Sequence, residues 1–409
     1  MKTKELLKAV IAGCVILIGA TGVFAQDWPQ WRGANRDGIA NGFDAPGQWP
    51  AELTQKWRVT VGFGDSTPAL VGDKLYVCAR QGDEEVTLCL NAANGKELWK
   101  DKYPAQAVTG AARRHPGPRS SPAVADGKVV TIGVGGVVSC LDAATGTLVW
   151  RKDPFPKIVP RFFAAFSPII VDGMAIAHCG GKDNGAIIAF DLASGNEKWR
   201  WGDEGPDYGS PVLLTVAGTK QIVSPTEKSV VGISVADGKL LWQFASAPPS
   251  RAYNAATPIV KGQTVIYAAK GRGTKALKIE KQGDGFVVKE LWSNPDLGTQ
   301  YNTPVLRDGL IFGLSDRNNL FCINAQTGQT AWTDATARGK SGFGAVVGAG
   351  SCLIALTNDS NLVVFKPDGK AYSEIKSYKV AETVTNAHPV ISGDRIFIKD
   401  QNTLAMWTI

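Results

Sequence analysis

From Ser66 onward, short apolar runs and glycine turns follow one another in a fixed order. Each unit opens on a small residue and a proline, followed by an apolar run, a turn and a second apolar run. The copies are STPALVGDKLYV from Ser66, SSPAVADGKVVTI from Ser120, FSPIIVDGMAIA from Phe166 and GSPVLLTVAGTKQIV from Gly209. ATPIVKGQTVIYA from Ala256, NTPVLRDGLIFG from Asn302 and AHPVISGDRIFI from Ala387 continue the series, and FGAVVGAGSCLIAL from Phe343 repeats it without the proline. Runs of Val, Ile, Leu and Tyr split by DG, GD, GG or TG read as strands joined by tight turns. No stretch of the repeats keeps a helical period. The proline belongs at the opening of the first strand, where a missing N–H matters least.

A second pattern follows the first in most units: LNAANGKELW at 90–99, LDAATGTLVW at 141–150, FDLASGNEKW at 190–199, INAQTGQTAW at 323–332 and a looser ISVADGKLLW at 233–242. Within it, the side chains of Asp142 and Thr145 suit the capping of backbone N–H groups in a tight turn, and Gly146 supplies a positive φ. Trp57, Trp99, Trp150, Trp199, Trp242, Trp292 and Trp332 keep step with these turns, and Tyr378 stands in an eighth position. The mean spacing is about 46 residues. Each ring is expected to dock across the seam to the next unit, burying on the order of 200 Å².

Four short strands per unit make one propeller blade. The expected fold is all-β: an eight-bladed β-propeller with four-stranded antiparallel blades. Seven blades are the alternative, because the units at 343 and 364 are degenerate. The repeat begins with a lone Trp segment, LTQKWRVTV at 53–61, and ends with AHPVISGDRIFIKDQNTLAMW, which lacks a fourth strand. The N-terminal strand is therefore expected to complete the last blade and leave no open sheet edge.

The first 25 residues differ from the rest. Lys2, Lys4 and Lys8 precede an apolar run that ends in Val23-Phe24-Ala25, the form of an export signal cleaved after Ala25. Ile11-Ala12-Gly13-Cys14 resembles a lipidation box, but the longer apolar stretch lies after Cys14, which disfavours anchoring there. The expected domains are a signal peptide at 1–25, an N-terminal strap at 26–56 carrying WPQWRG, and the propeller at 57–409. The strap is expected to lie across the outside of the ring. The protein is placed in the periplasm or outside the cell, with no transmembrane segment in the mature chain.

The net charge of +7 falls to +5 once three lysines and Glu5 leave with the signal. That is too small, without a basic stripe, to point to nucleic acid. The six cysteines of the mature chain include no CxxC pair. Cys89, Cys140 and Cys322 share one third-strand slot and read as packing residues, while Cys78 and Cys89 could face one another across the QGDEE hairpin as a disulfide.

The turn-and-Trp pattern A-x-D-x-x-T/S-G-x-x-x-W resembles the tryptophan-docking motif of quinoprotein (PQQ-type) propellers. That superfamily includes PQQ-dependent alcohol dehydrogenases and the outer-membrane assembly factor BamB. The opening DWPQWRGANRDG at 27–38 is similar to the leader of secreted bacterial PQQ-like repeat proteins, and the resemblance covers about the whole mature chain. In enzymatic members it implies PQQ, calcium, adjacent cysteines and a catalytic aspartate. This chain has no Cys-Cys pair and no DxDxDG loop. The expectation is a non-catalytic binding or scaffold module of the cell envelope, with no cofactor and no metal. A PQQ-dependent oxidoreductase acting on alcohols or sugars is the alternative.

A binding site is expected where residues preceding each first strand, and those of the second hairpins, crowd one mouth of the channel. These are Arg113, Arg114, His115, Arg119, Arg161, Phe162, Arg251, Tyr253, Lys270, Arg272 and Tyr301. Cations interleaved with aromatics suit an anionic ligand or an acidic protein partner. The chain itself is expected to be a monomer.

Overall fold

A computed structural model describes residues 27–249 and 252–409; the expected export signal at 1–25, Cys14 and Arg251 lie outside the described residues. Eight sheets are arranged as a propeller, each with four strands in antiparallel order and one with a fifth, parallel strand at its inner edge. Blade 1 is built from Ala69–Val71, Lys74–Gln81, Glu84–Asn91 and Glu97–Pro104. The first strands of blades 2 to 7 begin at Ala123, Ile169, Val212, Ile259, Val305 and Gly344. Blade 8 holds Val390–Ser392, Arg395–Lys399 and Thr403–Thr408, and its outer strand is Thr54–Thr60 from the other end of the chain, with Trp57 opposite Met406. The ring thus has eight blades, closed by the N-terminal strand. Among the described residues no helix is long and apolar enough to cross a membrane.

Burial explains the order of strands. The first strands are short, mostly buried, and touch the first strands of neighbouring blades. The second and third strands are buried along most of their length, as in MAIAHCGG and NGAIIAF. Fourth strands such as ELWKDKYP alternate between half-buried and exposed, as one-faced edge strands should.

Two girdles fasten the blades. The outer one is the tryptophan series. Trp99 Nε1 donates to Ala143 O at 3.3 Å in the next blade, Trp150 to Leu192 O at 3.0 Å and Trp199 to Val235 O at 2.9 Å. Trp57, Trp292 and Trp332 repeat the bond to Ala92 O, Ala325 O and Asp368 O, and Tyr378 donates its hydroxyl to Pro50 O at 2.8 Å. The turn glycine has two roles. Gly146 has φ +75°, and a Cβ there would stand 2.5 Å from the Trp99 ring. Asp142 Oδ1 accepts from the N–H groups of Ala144 and Thr145, as the motif predicted.

Trp242 departs from the series. Its Nε1 donates to Gln221 Oε1 in its own blade at 2.6 Å. Blade 5 has no TG turn between its third and fourth strands, which run on as the long hairpin Gly273–Gln282 and Gly285–Asn294. The seam there is filled by Leu241, Phe244, Tyr267, Phe286 and Val288.

The inner girdle explains the small residue before each proline. The N–H of Thr67 donates to Ser121 Oγ in the next blade, Ser121 to Ser167 Oγ, Ser167 to Ser210 Oγ, Ser210 to Thr257 Oγ1 and Thr257 to Thr303 Oγ1. His388 N–H of blade 8 joins the series onto Thr67 Oγ1 at 2.9 Å. Only the proline-less blade 7 stands outside it.

The strap takes a different course from the one expected. Trp28 pairs with Leu70 in blade 1, and Pro29 O accepts from Val124 in blade 2. Arg36 donates to Pro168 O of blade 3 and, at 2.5 Å, to Pro211 O of blade 4. Trp31 Nε1 donates to Thr257 Oγ1 of blade 5 at 2.8 Å, and Arg32 donates to Thr303 O and Pro304 O of blade 6 at 3.0 and 2.7 Å. Ile39–Ala40 adds a parallel strand to the inner edge of blade 7, and the Trp31 ring lies 4.3 Å from that of His388 in blade 8. A segment that meets the inner end of every blade must lie on the axis. The strap corks the channel rather than crossing the outside of the ring. The reason is hydrogen bonding: carbonyls at the inner strand openings need donors, and two arginines supply them.

The six described cysteines are free and buried. Cys78 lies opposite Thr87, and Cys89 opposite Tyr76, so the two thiols are diagonal neighbours. Diagonal positions are about 7–8 Å apart, beyond the reach of a disulfide. The bridge is not formed.

Candidate functional site

Above the cork, the loops leading into the first strands enclose a cavity of about 480 Å³. Trp31 and the girdle hydroxyls of Ser167, Ser210 and Thr257 are among its lining residues. The cavity is therefore blind: the strap supplies its floor, and the blade mouths supply its walls.

Two aromatic groups form opposite walls. Tyr301 and Phe343 stack at 4.4 Å with planes 21° apart, and the His115 ring follows at 6.0 Å from Phe343. On the other side, Tyr253 meets Phe162 and Tyr208 edge-on at 5.3 and 5.4 Å. The Tyr208 hydroxyl accepts from the Phe162 N–H at 3.1 Å, which holds the pair in place. Burial pushes the Tyr208 phenol well above its ordinary pKa, so it stays neutral.

Polar groups converge between these walls. His115 Nδ1 is 2.7 Å from Asp65 Oδ2, and Asn386 donates to Asp65 Oδ1 at 3.1 Å. Burial alone would raise the Asp65 carboxyl, but these bonds and the charge of Lys399 hold it below the usual carboxylate range. The carboxylate is therefore ionised at neutral pH. Lys399 is itself fully buried, which lowers its ammonium to about 8. Arg119 donates to His115 O at 2.8 Å, while its Nη1 is buried without a partner. Arg114 is exposed at the mouth and forms no ion pair among the described residues.

The predicted site residues separate on this geometry. Arg114, His115, Arg119, Phe162, Tyr253 and Tyr301 line the cavity. Arg113 projects from the short 3-10 turn Gly110–Arg114 beside it, and exposed Arg161 lies over the Phe162 ring at 5.5 Å, outside the lining. Lys270 donates to Gln300 Oε1, a lining residue, at 3.1 Å. Arg272 turns away: it donates to Ser246 and Asn254 and ties the loop between blades 4 and 5. Arg251 lies outside the described residues.

Sequence reasoning missed Trp31, Asp65, Tyr208, Asn302, Phe343 and Asn386, all of which line the cavity. Asp65, Tyr208 and Asn386 each stand three residues before a blade proline, and Asn302 two before. That register, not charge, was the signal that could have found them.

The chemistry of the cavity does not fit calcium-assisted quinone binding. Asp65 is the one carboxylate in the lining, and its oxygens are already engaged. Among the described residues no three His, Cys, Asp or Glu side chains could hold a metal ion, and no cysteine lines the cavity.

Comparison with known proteins sets this geometry in a family. Residues 82–334, more than half of the chain, match the family model described as outer membrane protein assembly factor BamB. The BamB of Moranella endobia is 23% identical over 83% of this chain and 84% of its own length. The solved BamB of Moraxella catarrhalis superposes with TM-score 0.66 at 14% identity, covering 87% of this chain and 100% of that one. The quinohemoprotein alcohol dehydrogenase of Comamonas testosteroni superposes equally well (TM-score 0.68, 14% identity, 93% of this chain and 80% of that one), a likeness of fold alone. With the repeats matched over that span, the chain belongs to the BamB-type family of PQQ-like β-propellers.

Proposed function

We propose that this protein is an exported, non-catalytic propeller that acts as a binding or scaffold module in envelope protein assembly, with the aromatic, arginine-fringed cavity mouth as its contact face. The observation that carries the reading is the family match over residues 82–334, joined to a mouth that offers cations and aromatics but no cluster of reacting groups. Arg113, Arg114 and Arg161 form no ion pair among the described residues, so they are available to an acidic partner surface. Asp65 and His115 form a pair, but two neutral walls of aromatic rings surround them and no activated nucleophile accompanies them.

The test is genetic. A strain lacking the chain should hold fewer outer-membrane β-barrel proteins, restored by the wild-type protein. The triple variant Arg113→Glu, Arg114→Glu, Arg161→Glu should fold normally and fail to restore them. Unchanged β-barrel levels in the deletion strain would refute the reading. Titration with PQQ and calcium, followed by tryptophan fluorescence, separates the oxidoreductase alternative: saturable stoichiometric binding would favour it, and none is expected.

A further inference from the structure

We infer that the cavity is a binding site for an acidic saccharide, a pyranose ring carrying a carboxylate. The inference rests on the mouth being the contact face and goes beyond it by naming a ligand. Three features of the cavity narrow the chemistry. First, it is short of counter-charge for its cations: among the described residues, buried Arg119 Nη1 has no partner and Arg114 at the rim forms no ion pair. A ligand carboxylate would meet both, and guanidinium is well suited to hold it. Second, it also presents acceptors. Asn302 is 2% exposed and spends both amide hydrogens on Leu314 O and Gly342 O at 2.8 and 3.0 Å. Its Oδ1 is left without a donor, and in the same lining each Asp65 oxygen, with one bond made to His115 or Asn386, keeps a second lone pair. A bare polyanion offers nothing to these oxygens, whereas sugar hydroxyls donate to them. Third, Tyr301, backed by Phe343, and the Trp31 floor bring aromatic surface to the lining against which the C–H face of a ring can pack.

An extended acidic peptide fits less well. Peptide recognition on sheets uses a free strand edge, and here the N–H groups at the inner strand openings are taken up by the hydroxyl girdle. The floor is closed by the strap, which leaves no through-groove. A compact ligand of one or two rings matches a blind volume of this size.

The test is calorimetric titration of the full mature chain with D-glucuronate, D-glucose, benzoate and an oligo-glutamate peptide. Glucuronate should bind saturably. Glucose should bind about tenfold or more weaker, because a charge-assisted bond is worth about 1.5–3 kcal/mol. Benzoate, which has ring and carboxylate but no hydroxyls, should not compete. Arg114→Ala, an exposed change that leaves the fold alone, should weaken glucuronate at least fivefold and leave glucose unchanged. Asn302→Leu, checked by near-ultraviolet circular dichroism, should weaken both sugars. Equal affinity for glucose and glucuronate, or no sugar binding by the folded protein, would overturn the inference. Tight oligo-glutamate binding lost in Arg114→Ala would overturn it while leaving the contact-face reading standing. Failure of every probe, together with full complementation by the triple arginine variant, would sink both.

Discussion

The buried arginines of the strap give the sharpest test of how the ring is corked. Arg32 is fully buried and donates to Thr303 O, Pro304 O and Asp37 O at 3.0, 2.7 and 2.9 Å. Burial lowers its guanidinium to about 10, so it remains charged at neutral pH. Arg32→Met keeps the aliphatic stem and deletes the donors. Two buried carbonyls and one half-buried carbonyl then lose a charged partner, at about 1.5 kcal/mol or more each. Relief of the desolvated charge offsets part of this, leaving a net loss of about 3 kcal/mol. The loss falls on docking of the strap, not on the blades, because the bonds to Thr303 O and Pro304 O join strap to ring and the bond to Asp37 O shapes the strap itself. At 1.4 kcal/mol per decade, amides that depend on docking should exchange about a hundredfold faster. The Gly38 amide, bonded to Arg32 O, and the Gly348 amide, bonded to Gly38 O, are the reporters. Hydrogen exchange read by mass spectrometry should show the change in 28–40 and 344–349, with blade 2 unaffected. Arg32→Lys keeps the charge but cannot span three carbonyls and should fall between. Exchange within threefold of wild type in Arg32→Met would refute the view that these bonds hold the strap on the axis.

Other consequences follow from the same geometry. Trp150→Phe removes the bond to Leu192 O and should destabilise the seam between blades 2 and 3 by about 1–2 kcal/mol; Trp242→Phe, whose partner lies in its own blade, should leave exchange across the seam between blades 4 and 5 unchanged. His178 is buried and its pKa is lowered to about 4, chiefly by burial, so its stabilising share is complete above pH 6.5 and is lost as pH falls from 6.5 towards 4. That window is worth about 3 kcal/mol, and His178→Gln should flatten it in urea titrations between pH 7 and 4. Burial pushes the Cys78, Cys89 and Cys179 thiols up to about 12, so an aromatic disulfide reagent should label none of them in the native protein and reductant should leave its melting temperature unchanged.

Much of this architecture was written locally. The spacing of proline, glycine turn and tryptophan specifies four strands per unit, and eight units follow from counting. Thr54–Thr60 could be assigned to the last blade because a ring abhors an unpaired edge, and the missing fourth strand at the C-terminus was visible in the sequence. These features repeat, and repetition averages away the idiosyncrasy of any one copy. The cavity does not repeat. Asp65, Asn302 and Asn386 come from blades 1, 6 and 8; they share one lining, and Asn386 meets Asp65, only when the ring closes. Arg272 and Arg114 look alike as loop cations, yet one is spent on Asn254 and Ser246 and the other reaches the mouth. The strap is the clearest case. Nothing in WPQWRGANRDG says inside or outside, because its arginines find acceptors only where eight strand openings converge. Local patterning fixes which bonds each residue must make; the closed ring alone decides with whom, since donors and acceptors from distant blades share one axis only after it has closed.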